Sequence, residues 1–111
     1  MYGTLLAGER NHHYLERARL VGAARTKAAF ALHHLGAFPG LVAGGAHAVA
    51  GEVYEVDEPT LAALDRLEDH PDFYRRAIIE LDDDAQVVSY LLLRAQVEGH
   101  PVILSGSWRA R

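Results

Sequence analysis

Apolar and polar residues along this chain change rhythm several times, and each change predicts an element. "MYGTLL" is short and apolar, and Tyr2 to Leu6 reads as a strand entering a turn at Gly8. "ERNHHYLER" is polar and reads as a helical turn. Between Ala18 and Leu35 the pattern is ambiguous. The alanines of "RTKAAFALHHLG" favour helix by propensity, whereas Phe30 and Leu32 alternate with smaller residues as in a long, bent strand. Strand is the preferred reading. "GAFPGLVAGG" reads as a loop on its Gly and Pro content. "AHAVAGEVYEVD" is a strand carried by Val49, Val53, Tyr54 and Val56. "YRRAIIELD" and "AQVVSYLLLRAQ" are two more, joined by the acidic turn "DDDA" into a hairpin. The sum is an α+β fold with a largely antiparallel sheet and one clear helix.

That helix is the most readable element. Asp57 suits the N-cap and Pro59 the first turn. "TLAALDRLED" continues it, and His70 before Pro71 ends it. At about 100° per residue, with Leu61 at zero, Leu64 falls near roughly 300° and Leu67 near roughly 240°. Asp65 and Asp69 fall near roughly 40° and 80°, toward the polar side, and read as solvated or capping acids dispensable for chemistry. Glu68 falls near roughly 340°, between Leu61 and Leu64. It is the one acid centred in the apolar stripe. An ionised carboxylate buried there without a partner is expensive. Three outcomes stay open: it pairs, it lines a cavity with a raised pKa, or it escapes to solvent as the helix frays. A carboxyl titrating near neutrality is what a proton shuttle needs.

Composition narrows the classes. With 111 residues, half of them hydrophobic, the chain suffices for one domain over residues 1–111 with a real core. It has no cysteine, so disulfides, thiolate metal sites and cysteine nucleophiles are excluded. A formal charge of −4 gives no basic footprint for nucleic acid. No apolar run approaches the roughly 20 residues that span a bilayer, and the first residues lack a signal-peptide pattern, so a cytoplasmic, non-membrane protein is expected. The adjacent pairs His12–His13 and His33–His34 point in different directions, and no HExxH spacing occurs, so no metal is expected. Ser105 and Ser107 lack a nucleophile motif, and Trp108 reads as a packing anchor for a C-terminal strand. Oligomeric state is left open.

"YGTLLAGERNHHYL", "GEVYEVDEPTLAALDRLEDHPDFYRR" and "SGSW", in that order, together resemble the γ-glutamylcyclotransferase-like family, most closely its small AIG2-like branch acting on γ-glutamylamines. The pairing of YGTL with LDRLEDHPDFYRR carries the specificity. The resemblance implies a small mixed, mostly antiparallel, β-barrel-like sheet with flanking helices and a cavity at its mouth. It also implies that Tyr2, Gly3, Thr4 and Leu5 form a turn cradling a small-molecule γ-glutamyl substrate, largely through backbone amides. It maps the catalytic glutamate onto Glu68 and makes Tyr74 a pocket-lining hydroxyl. Without it, Tyr2 would read as an ordinary strand aromatic. One departure stands out: Met1 directly precedes Tyr2, where family members usually carry a few more apolar residues completing a first strand.

The reaction so implied is intramolecular and needs no cofactor. The α-amino group of a γ-glutamyl unit attacks its own γ-carbonyl, 5-oxoproline forms and an amine leaves. One carboxyl of elevated pKa can take the ammonium proton and return one to the leaving amine. Backbone N–H groups at Gly3–Leu5 suit the α-carboxylate better than the oxyanion, and Gly3 permits close approach. If Glu68 proved structural, Glu52 in "GEVYEV" is the next candidate acid. The alternative reading, favoured by the departure at Met1, is a non-catalytic small-molecule binder on the same fold. The amine half of the substrate is not readable from the sequence.

Overall fold

The computed structural model describes all residues 1–111. In chain order it contains β1 (Arg19–Arg25), β2 (Phe30–His34), β3 (Pro39–Ala43), β4 (Ala50–Glu55), α1 (Glu58–Leu67), β5 (Arg75–Glu80) and β6 (Gln86–Leu91). Short 3-10 turns lie at His12–Leu15, Arg94–Val97 and Trp108–Ala110. The strands form three antiparallel ladders, β1–β4, β2–β3 and β5–β6. Single bridges join them, such as Thr26 to Leu81, and the Leu92 N–H donates to the Leu41 carbonyl at 2.9 Å. The result is the expected α+β fold with antiparallel sheets and one α-helix. No helix is long and apolar enough to cross a membrane.

Two apolar clusters fill the interior. Leu5, Leu15, Val42, Leu64, Tyr74, Tyr90, Leu92 and Val97 form one; Leu6, Phe30, Leu32, Leu41, Val49, Ile79, Ile103 and Trp108 form the other. Strand β3 separates them, sending Val42 into the first and Leu41 into the second by the two-residue period of a strand. This overturns the expected loop at "GAFPGLVAGG". Its glycine serves packing rather than turning: a Cβ on Gly40 would lie 2.4 Å from Leu92 Cδ1. Pro39 is tolerated as the first residue of the strand.

The segment Tyr2–Leu6 is not a strand. Its backbone folds into a turn in which the Leu6 N–H donates to the Gly3 carbonyl at 3.0 Å. Only Met1 touches a strand edge, its carbonyl accepting the Glu52 N–H at 2.8 Å. The apolar run is still buried, Leu5 in one cluster and Leu6 in the other. Residues 18–35 resolve into β1 and β2, the preferred strand reading broken between Arg25 and Phe30. Trp108 is a buried anchor, but it lies in a 3-10 turn rather than a strand.

Helix α1 begins as expected, with the Asp57 carboxylate accepting the Thr60 N–H at 2.8 Å. It ends earlier than expected. Leu67 is its last residue and Glu68 its C-cap. Asp69 follows with φ 53°, in the left-handed region. The N–H of His70 donates to the Asp65 carbonyl and that of Asp69 to the Arg66 carbonyl, the two bonds of a Schellman motif. The helix therefore closes in a hydrogen-bonded turn rather than a frayed one, and that turn carries Glu68.

Candidate active site

A cavity of about 290 Å³ opens where the N-terminal turn, β3, the end of α1 and the β5–β6 hairpin meet. Tyr2, Gly3, Thr4 and Leu5 line one side. Glu68 and Tyr74 line it too, so all six residues singled out from the sequence share one cavity. Arg10, Asn11, Phe38, Pro39, Asp69, Phe73, Ser89 and Tyr90 complete most of the wall.

The N-terminal turn is built tightly. Asn11 holds Thr4 twice, through its backbone N–H to the Thr4 carbonyl at 2.9 Å and its side-chain amide to Thr4 Oγ1 at 3.1 Å. A Cβ on Gly3 would lie 2.6 Å from Pro39 Cγ, so glycine is needed there for packing against the first residue of β3. The N–H groups of Gly3, Thr4 and Leu5 donate to nothing within the protein. Successive free amides beside a cavity are an anion-binding arrangement.

The tyrosines are differently placed from a set of free hydroxyls. Tyr2 donates to the Tyr90 carbonyl at 2.6 Å and Tyr74 to the Pro39 carbonyl at 2.6 Å. Tyr90 donates to the Asp65 carboxylate at 2.6 Å. Burial raises the pKa of all three. Each proton is committed to a protein acceptor, so these rings shape the wall and leave the hydroxyl oxygens as acceptors only. Tyr74 lines the cavity with its hydroxyl proton turned into the framework.

Glu68 contrasts with them. Its carboxyl makes no hydrogen bond to the protein, and burial raises its pKa from 4.5 to about 7. Glu52, the fallback acid, is elsewhere in kind. Burial pushes it up, but the Ala7 N–H at 2.8 Å, the Tyr54 hydroxyl at 3.0 Å and Arg109 outweigh that, and its pKa is lowered. It does not line the cavity. Asp69 behaves as a capping acid through its backbone. Asp65 is not the solvated acid its helical angle predicts: besides Tyr90 it binds Arg76 Nη1 at 2.9 Å.

Sequence reading missed Tyr90, Phe38 and Arg10. Tyr90 and Phe38 come from β6 and the approach to β3, and only the strand arrangement brings them to the helix end. Arg10 carries a detectable signal, as a basic residue close to the turn motif in "YGTLLAGERNHHYL".

The chain belongs to the gamma-glutamyl cyclotransferase, AIG2-like family, whose model matches residues 1–110. A Vibrio cholerae protein provisionally named a gamma-glutamylcyclotransferase is 47% identical over 111 residues, covering 100% of this chain and 94% of its own. The gamma-glutamylcyclotransferase family protein YtfP of Escherichia coli K12 is 35% identical over 111 residues, covering 100% of this chain and 95% of its own. An AIG2-like protein of Mus musculus, known from a crystal structure, superposes with a TM-score of 0.73 at 32% identity, over 92% of this chain and 82% of its own.

Proposed function

We infer that the protein is a γ-glutamylamine cyclotransferase, with Glu68 as its general acid and base. The observation that carries this reading is the Glu68 carboxyl: it lines the cavity, has no protein hydrogen-bond partner and has a pKa raised to about 7 by burial. Its unused oxygens are available to a ligand. Family membership supports the same reaction class.

The substrate's α-carboxylate binds the free N–H groups of the Gly3–Leu5 turn. Arg10 supports it as the one basic side chain on the cavity wall, and it makes no ion pair within the protein. Held folded, the γ-glutamyl chain presents its α-nitrogen to its own γ-carbonyl. Glu68 takes a proton from the ammonium, and the freed lone pair forms the C–N bond of the five-membered lactam. The tetrahedral intermediate then collapses. Glu68 returns the proton to the leaving nitrogen and the old amide C–N bond breaks. The ring nitrogen, still holding two hydrogens, gives the second to the Glu68 carboxylate, which passes it to the departing amine. 5-oxoproline and an ammonium leave, and Glu68 is again ionised. No group is oxidised or reduced. Ring closure supplies its own proximity, so the protein contributes chiefly folding of the substrate and proton transfer. The aromatic edge of Phe38 and Phe73, rings 6.0 Å apart, offers the amine half an apolar rest.

The test is a panel of γ-glutamylamines, γ-glutamyl amino acids and glutathione, read by 5-oxoproline release. Release from γ-glutamylamines above the others supports the reading. Binding of these compounds with no release from any of them would identify a non-catalytic binder.

A further inference from the structure

The network outside the cavity wall bears on the chemistry inside it. Asp65 lies one turn before Glu68 on α1. One carboxylate oxygen accepts the Tyr90 hydroxyl at 2.6 Å, and the other accepts Arg76 Nη1 at 2.9 Å. Arg76 and Tyr90 are cross-strand partners in the β5–β6 ladder. Asp65 therefore grips a single rung of the hairpin from both sides. Its backbone takes part as well: its carbonyl accepts the His70 N–H at 2.9 Å, and His70 Nδ1 accepts the Arg76 N–H at 3.0 Å. The turn bearing Glu68 is thus stitched to β5 and β6 on either side of that residue.

Tyr90 carries the linkage into the cavity. Its ring lines the wall, and its backbone carbonyl accepts the Tyr2 hydroxyl at 2.6 Å. Two short hydrogen bonds, one at the hydroxyl and one at the backbone carbonyl of Tyr90, thus tie Asp65 through that residue to Tyr2, at the start of the N-terminal turn. A carboxylate suits this position because two donors converge on it. An amide would offer one acceptor and set its NH₂ against the guanidinium.

We propose that Asp65 is a positioning residue for the cyclisation, fixing the Glu68-bearing turn against the Tyr90 wall through its bonds to the Tyr90 hydroxyl and Arg76. The kinetic part rests on the reading of Glu68 as the acid and base; the positional part does not. Misplacement by about 1 Å far from the reacting atoms can lower a rate by about 10²-fold, so a clamp at this distance can matter to turnover.

The experiment compares Tyr90→Phe, Asp65→Asn and the double variant with wild type, after melting curves confirm that each folds. Tyr90→Phe is the cleaner probe, since it keeps the ring and the carbonyl that holds Tyr2 and changes no charge. Each single variant should lower kcat by roughly tenfold with KM within about threefold, and the double variant should be no slower than the worse single one. Alongside, the Glu68 side-chain carboxyl is titrated by ¹³C NMR in wild type and Tyr90→Phe. Loosening the turn admits water, so its pKa should fall from about 7 toward 4.5. Tyr2, Tyr74 and Tyr90 face it, and none of the three ionises in that range. Arg10 and Asp69 share the cavity wall, and the Met1 α-ammonium, which burial lowers to about 6, titrates beside Glu68. The Met1 titration is therefore followed in both proteins, and the Glu68 shift is read at matched Met1 charge. An unchanged Glu68 titration in Tyr90→Phe overturns the proposal whatever the kinetics, and so do additive losses or an effect on KM alone. If wild type released no 5-oxoproline, the enzymatic reading would fall, and the titration would still decide the positioning role.

Discussion

Glu52 on β4 and Glu68 at the end of α1 are both largely withdrawn from water, yet their chemistry diverges. Glu52 has a side chain only 13% exposed and receives the Ala7 N–H, the Tyr54 hydroxyl and the Arg109 guanidinium. Its pKa is lowered in spite of burial. Glu68 receives no hydrogen bond from the protein and is raised to about 7 by burial, against the opposing pull of the Met1 ammonium. Burial alone therefore does not mark a proton-transfer residue. Burial without donors raises a carboxyl toward neutrality, because the ionised form then lacks the bonds that would offset its desolvation. Glu52 acts as a fastener: Ala7 belongs to the loop after the N-terminal turn, and Arg109 from the C-terminal 3-10 turn also donates to the Ala7 carbonyl. Glu68 faces the cavity with both oxygens unengaged.

The largest expected effect separates the two acids by turnover. Glu68→Gln keeps the shape of the side chain but can neither accept nor return a proton, so kcat should fall by about 10²–10⁴-fold with KM little changed. Wild-type kcat/KM should rise with pH through about 7 as Glu68 ionises to its base form, and that limb should vanish in the variant. Glu52→Gln should stay within a few-fold of wild type at a temperature where it is folded. Kinetics of 5-oxoproline release from an accepted γ-glutamylamine measure both. Equal losses in the two variants would erase the distinction drawn between them.

A second effect is on stability. Glu52→Gln loses the charge facing Arg109 and some of its acceptor capacity, and should destabilise the fold by about 1–3 kcal/mol. The sign with pH follows from a depressed pKa. The contribution of Glu52 is fully present above its unfolded value near 4.5 and is lost as pH falls through its lower folded value. Denaturant titrations should therefore show the gap between wild type and variant at pH 7 and a narrowing gap on acidification below about 4.5. A gap that did not change with pH would mean that shape, not charge, holds the loop.

How much of this contrast was legible in the sequence depends on the range of the interactions involved. Glu68 was legible because helix periodicity is local: its angle on the stripe, the Asp57 cap and the apolar Leu61 and Leu64 all lie within one element. Asp65 was misjudged because its partners are remote, Arg76 at 11 residues and Tyr90 at 25, and the hairpin register that aligns them is invisible from the helix. Strand β3 was hidden by Gly40 and Pro39, residues that usually signal a loop and here satisfy a close contact with Leu92 and a strand start. Tyr2–Leu6 looked like a strand because a buried turn and a buried strand of this length share one apolar composition. The resemblance to a family implied a turn at Tyr2–Leu5, and the backbone there does turn, beside the cavity.

The smallest effect is the most diagnostic, because it runs opposite to that of Glu52. A carboxyl whose folded pKa lies above its unfolded value imposes no penalty below about 4.5, where both states are protonated. As pH rises past that point the unfolded chain ionises first, and wild type loses stability until the folded Glu68 ionises as well, near 7. Above that the penalty is constant. Its full value from the shift would be about 3 kcal/mol, and partial exposure of Glu68 reduces it to about 1–2 kcal/mol. Glu68→Gln carries no such penalty. It should therefore be more stable than wild type at pH 8 by about 1–2 kcal/mol and equal to it at pH 4. The same denaturant titrations at the two pH values read the difference directly. An acid kept for catalysis should weaken the fold in the state that works, whereas an acid kept for structure should strengthen it. Were Glu68→Gln less stable than wild type at pH 8, Glu68 would have a structural partner, and the division between the two glutamates would collapse.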